Sequence, residues 1–197
     1  MDCILSWIAQ NYIELLAASL GLIGIFLQIK QNPWYWFTSI IMVVLYIFVF
    51  YFSKFYADMS FQFYYLGVSI YGWYHWITGK TPVSESNNYI LRLNRKQIVL
   101  SLLLSLIFLF VIYLILKNFT DSDVPLGDAF TTALSFTATW LLAKKYIENW
   151  FFWIVVNIVS TILYVYKGLY PTVVLFTILT LLAFVGYHKW KKFEVVQ

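Results

Sequence analysis

The chain has 197 residues, of which 62% are hydrophobic, 22% aromatic and only 11% charged, with a formal net charge of +4 and a mean hydropathy of +0.77. A soluble domain carries about 25% charged and 45–50% apolar residues, and a fold this small cannot hide such an apolar excess from water. The composition excludes a soluble globular protein and a disordered chain. The lone cysteine, Cys3, excludes a disulfide scaffold or a thiolate metal cluster. The solvent is therefore lipid, and the basic balance points to membrane orientation rather than to nucleic acid.

A bilayer is crossed by about 17–25 residues of helix. Seven spans are expected, at 12–29, 34–52, 58–77, 97–117, 127–143, 149–166 and 170–187, giving an all-α integral membrane protein. Short polar breaks separate them, among them Lys30-Gln31-Asn32-Pro33, Ser53-Lys54, the stretch Thr78–Lys96 and the run from Asn118 to Pro125. No basic stretch and no small-residue cleavage site accompany the first span, so no removable signal is expected. Lys30, Lys80, Arg92, Arg95, Lys96, Lys144, Lys145, Lys189, Lys191 and Lys192 fall on one set of connections; Lys54, Lys117 and Lys167 fall on the other, with Asp121, Asp123 and Asp128. Basic residues collect on the inner side, which predicts an outer N-terminus and a cytoplasmic C-terminus.

The chain also carries signs of duplication. Asn32 and Trp36 match Asn149 and Trp153 at an offset of 117, and the aromatic clusters around His75 and His188 match at 113. Spans one to three then repeat as five to seven with span four as connector, which divides the chain at 1–81, 82–126 and 127–197. A single connecting helix gives both triplets the same orientation, a parallel repeat of the kind that places a transport site between the halves. The alternative is that tryptophan-rich interfaces look alike without common ancestry.

The sixth span opens Asn149-Trp150-Phe151-Phe152-Trp153 and reaches Asn157. At 100° per residue, Trp150, Trp153 and Asn157 fall within about 60° of one helix face, and Asn157 lies roughly 10 Å deeper than Trp150. An amide at that depth needs a partner. A ligand would supply one; so would an interhelical hydrogen bond, with the tryptophans in an interfacial belt. A belt accounts for Trp150 better than for Trp153. Eight of the nine tryptophans, all but Trp7, fall toward the basic side. In the fifth span Thr131, Ser135 and Thr139 form an i, i+4, i+8 hydroxyl stripe, suited either to a polar path or to close helix packing. Gln62, one turn inside the third span, is a second candidate amide, for a ligand or for the bundle.

Glu14 and Asp128 sit near outer span ends, and no carboxylate or histidine occurs at the midplane, where proton-coupled pumps place them. There is no phosphate-binding loop of the Walker type, and Gly67-Val68-Ser69-Ile70-Tyr71-Gly72 is one residue too long for a nucleophile elbow. His75 and His188 have no clustered carboxylate or thiol. The expectation is a non-enzyme without cofactor or metal, with a passage for a neutral or singly cationic solute bearing a flat ring.

Trp150-Phe151-Phe152-Trp153-Ile154-Val155-Val156-Asn157 fits W-x-x-W-x-x-x-[ND], and Tyr71-Gly72-Trp73-Tyr74-His75-Trp76, Asn32-Pro33-Trp34 and Gly186-Tyr187-His188-Lys189-Trp190 accompany it. On these residues the chain resembles the PnuC vitamin transporters over nearly its whole length. The resemblance implies a 3+1+3 fold related to the SWEET sugar transporters and a homotrimer in the bacterial inner membrane. It implies facilitated diffusion of a vitamin that a cytosolic kinase traps by phosphorylation, with Trp150, Trp153 and Asn157 binding the substrate. Nicotinamide riboside is the expected vitamin, thiamine or another vitamin the alternative on the same scaffold, and a non-transporting membrane scaffold the alternative of a different class.

Overall fold

The computed structural model describes residues 21, 23–52, 54–79 and 89–193. Among these described residues it has seven helices: α1, helical over 23–29; α2, Trp34–Phe52; α3, Tyr56–Thr78; α4, Arg95–Phe119; α5, Pro125–Ala143; α6, Asn149–Tyr166; and α7, Tyr170–Trp190, which runs into a 3-10 turn at Lys191–Phe193. Most of the span predicted at 12–29 lies outside the described residues, as do Glu14 and residues 80–88.

Local chemistry sets the ends. The Asn94 side chain accepts from the Gln97 N–H while the Gln97 side chain accepts from the Asn94 N–H, a reciprocal capping box that starts α4. Proline in the first turn starts α5 and α7, where its missing N–H costs no helical bond. α2, α4, α6 and the α7 segment are long and apolar enough to cross a membrane. α3 and α5 have comparable lengths but carry more polar residues. α5 lies against α3, α4 and α6 and buries Ala129, Ala133, Ala138 and Ala143 completely. Small residues let its backbone approach its neighbours closely. α4 buries only a narrow strip, Ser101, Ser105, Ile112 and Leu116, and leaves Leu102, Leu106 and Phe110 outward.

The geometry repeats at a constant offset of 114 residues. Gln31 (φ 54) and Lys145 (φ 58) occupy the same left-handed turn position, as do Lys54 (φ 61) and Gly168 (φ 71). Leu27 and Leu141 accept from the N–H groups of Asn32 and Tyr146, and Phe50 and Tyr164 accept from those of Phe55 and Leu169. The Trp76 indole N–H donates to the carbonyls of Leu142 and Ala143 at 3.3 and 3.2 Å; the Trp190 indole N–H donates to those of Gln28 and Ile29 at the same distances. Trp36 meets Trp76 edge-on at 5.6 Å and 89°, and Trp150 meets Trp190 at 5.4 Å and 87°. This corrects the offsets of 117 and 113 taken from the motifs. Trp36 corresponds to Trp150, not Trp153, and His75 corresponds to Lys189. The W-x-x-W motif offers two tryptophans, and a match of letters alone selects the wrong one.

Candidate functional site

A cavity of 540 Å³ lies between α1, α2, α3, α5, α6 and α7, within the size range of small-molecule sites. Trp150, Trp153, Asn157, Gln62 and Thr139 all line it. Asn157 is 5% exposed and Thr139 6%, whereas Gln62 and Trp153 are half-buried. The Thr139 hydroxyl donates to the Ser135 carbonyl at 2.7 Å, so its remaining capacity toward the cavity is as an acceptor. Trp150 is 0% exposed, sealed against Trp190 and Gly186. A belt at the membrane surface therefore describes Trp150 worse than Trp153, the reverse of the sequence-based expectation. Trp34, 59% exposed, and Tyr74, 66% exposed, have the surface placement that a belt residue needs.

The hydroxyl stripe of α5 does not act as one surface. Thr139 reaches the cavity, Ser135 is buried, and Thr131 lines a separate 990 Å³ cavity at the acidic end. That second cavity is bounded by Asp58, Asp121, Asp123 and Asp128, with Lys54 and Lys167; the Lys167 ammonium bridges Asp128 at 3.2 Å. Thr131, Thr132, Thr137 and Thr139 all bond back to carbonyls of their own helix, which lets hydroxyls sit in an apolar bundle.

Several wall residues carried no sequence signal strong enough to single them out. Gln28, Tyr35, Ser39 and Tyr65 line the 540 Å³ cavity. The Nε2 of Gln28 and the Nε1 atoms of Trp150 and Trp153 are buried without a hydrogen-bond partner. The surrounding wall, including Met42, Val43, Phe176 and Leu179, is apolar. Among the described lining residues there is no Asp, Glu, Lys, Arg or His. Such a wall stacks a flat ring and offers amides and hydroxyls to a polar rim, but it supplies no counter-charge.

Beyond the tryptophans, the basic end is closed by residues 89–94. Leu91 donates to the Lys145 carbonyl and accepts from Ile147, while the Ile90 N–H reaches Phe193. The Leu93 N–H bonds to Glu148 at 3.1 Å. Lys145 places its ammonium 5.2 Å from the Trp76 ring and 4.8 Å from that of Tyr89. Burial lowers its pKa from the usual lysine value to about 8.

The sequence pattern of a family described as nicotinamide mononucleotide transporters matches residues 11–192. The chain belongs to this family. Like its relatives, this member of the nicotinamide mononucleotide transporter family is a multi-pass membrane transporter and not an enzyme. It is 25% identical over 204 residues to the nicotinamide riboside transporter PnuC of Escherichia coli (strain K12), covering 91% of this chain and 85% of the relative. The same values hold for the PnuC protein of Shigella flexneri. Its fold is similar to the crystal structure of the vitamin B3 transporter PnuC, with a TM-score of 0.74 and 24% identity over 98% of this chain and 86% of that one. Among the described residues of this family member, no three His, Cys, Asp or Glu side chains group as a metal site would require.

Proposed function

We propose that the protein carries nicotinamide riboside passively across the bacterial inner membrane, with the 540 Å³ cavity as its binding site. Trp153 stacks on the pyridinium ring, Trp150 backs the site, and Asn157, Gln62 and Thr139 hydrogen-bond to the amide and ribose hydroxyls. One observation carries the choice among vitamin forms. The family description names the mononucleotide, yet the described cavity wall contains neither lysine nor arginine. A phosphate carries a charge of about −1.5 to −2, and burying it without a partner is costly. The riboside is a flat cation with hydroxyls and needs no such partner, since aromatic faces attract cations. The names of the two bacterial relatives support the same reading.

The absence of a carboxylate, histidine, lysine or arginine from the described wall supports facilitated diffusion, with a cytosolic kinase drawing uptake forward by phosphorylating the vitamin. The basic connections support a cytoplasmic C-terminus and an outer N-terminus. The 114-residue recurrence supports two parallel three-helix halves joined by α4, the 3+1+3 plan shared with SWEET proteins, and α4's outward apolar face leaves room for a homotrimer contact. Uptake of labelled nicotinamide riboside, its mononucleotide and thiamine into proteoliposomes tests the reading. The riboside is expected to equilibrate without an ion gradient and the mononucleotide to stay outside. Accumulation that collapses with an ionophore would overturn passive transport, and preferential thiamine uptake would reassign the substrate. A thermal-shift screen in which no vitamin stabilises the protein would favour a non-transporting scaffold.

A further inference from the structure

We infer that Trp36, Trp76, Trp150 and Trp190 form the gate that closes the cavity at the basic end, with the Trp76 and Trp190 indole N–H groups as its latches. The inference rests on the transport reading above and adds to it the residues that must part for release. The four indoles are 0–1% exposed and belong to one buried cluster. They join the cavity directly, because Trp150 and Gln28 line it while also belonging to the plug.

The latches cross between halves. Trp76, at the end of α3, bonds to the last turn of α5; Trp190, at the end of α7, bonds to the last turn of α1. The Trp76 and Trp190 rings lie 6.1 Å apart, tilted by 55° to each other. The two halves cannot separate at this end while both latches hold. Each latch is one donor shared between two carbonyls at 3.2–3.3 Å, longer than an optimal N–H···O bond of about 2.9–3.0 Å. Both carbonyls of each pair lie at a helix C-terminus, where water can replace the indole once the end opens. The plug is also incompletely satisfied when closed, since the Nε1 atoms of Trp36 and Trp150 are buried without partners. Pairs of indoles held by shared bonds, two of them with unpaired N–H groups, make a seal that opens at modest cost.

The test removes the N–H and keeps an aromatic, though smaller, ring. In a Cys3→Ser background, Thr38→Cys provides a reporter on the cavity wall. A membrane-impermeant maleimide is applied to each face of sealed vesicles carrying Trp76→Phe, Trp190→Phe or both. Loss of one buried hydrogen bond shifts a two-state equilibrium by about 3- to 10-fold. Labelling from the basic-end face should rise by that factor in each single variant and further in the double variant. Unchanged labelling in variants that remain folded overturns the gate. Where the phenylalanine variants do not fold, exchange of the two indole protons in the unmodified protein decides. Exchange within minutes to hours supports a gate, and protection for days overturns it. Increased labelling without binding of any vitamin would sink the substrate assignment and leave the gate standing.

Discussion

A methyl group placed on the Cα of Gly186 would lie 2.4 Å from the Trp150 ring. Its counterpart Gly72 stands in the same relation to Trp36, at 2.5 Å. Only glycine lets either indole approach the neighbouring helix this closely. The two sites differ in one respect: Trp150 borders the cavity and Trp36 does not. Gly186→Ala and Gly72→Ala should each cost about 1–3 kcal/mol of stability through overpacking. Only Gly186→Ala should also weaken nicotinamide riboside binding, by roughly tenfold. Melting temperatures and Kd values measured side by side separate the effects, and equal affinity losses in both variants would remove Trp150 from the site.

Trp153 is half-buried on the cavity wall. Trp153→Ala should weaken binding by about 1–3 kcal/mol, the range found for a ring stacked on a base. Trp153→Phe should retain much of the affinity. Isothermal titration distinguishes the cases, and an alanine variant with unchanged affinity would make Trp153 a packing residue.

Asn157 brings an amide to a buried position on the cavity, where its value to the folded protein and to the ligand can be separated. Asn157→Leu should lower affinity by about 1–3 kcal/mol, the cost of leaving a ligand polar group unpaired. The melting temperature without ligand should hold or rise, since a buried polar group has been replaced by an apolar one of similar size. A fall in both would indicate that the amide serves the bundle instead.

Lys145 gives the structure a pH dependence of defined sign. Its pKa falls to about 8 in the fold and lies near 10.5 in the unfolded chain. Below about 8 both states are protonated and the fold bears the full cost of the buried charge. Between about 8 and 10.5 the unfolded state binds more protons, so stability rises with pH across that window. Lys145→Met should flatten this rise. Thermal denaturation from pH 7.5 to 9.5 measures it, and an unaltered slope in the variant would assign the dependence to another group.

The sequence made the candidate site legible where helical geometry alone decides the matter. Trp150, Trp153 and Asn157 share a face because positions i, i+3 and i+7 must, whatever surrounds them. Gln28 was not legible. An amide near the end of an apolar span faces lipid, a loop or a cavity according to how neighbouring helices pack, and no local pattern records that. The sealing of Trp150 was hidden for a related reason, since Gly186 is 36 residues away and its missing side chain leaves no periodic trace. The helix ends were clearer: α2 and α6 span the predicted residues, because Pro33 and the polar turns around Lys145 and Lys167 punctuate them locally. α3 and α4 extend two residues further at their starts than expected. For α4 the reason is the Asn94–Gln97 capping box, a signal present in the sequence inside a stretch that was read only as polar.

The recurrence of turn geometry has a practical consequence for protein engineering. Among the described residues four equivalent turns enter left-handed backbone, and of these glycine occupies the one at residue 168; Gln31, Lys54 and Lys145 carry side chains there. A residue with a Cβ pays roughly 1–2 kcal/mol in that conformation. The chain thus holds its own template for a thermostabilised variant. Lys54→Gly adopts the solution already used at Gly168, and differential scanning fluorimetry should register a higher Tm with vitamin affinity unchanged.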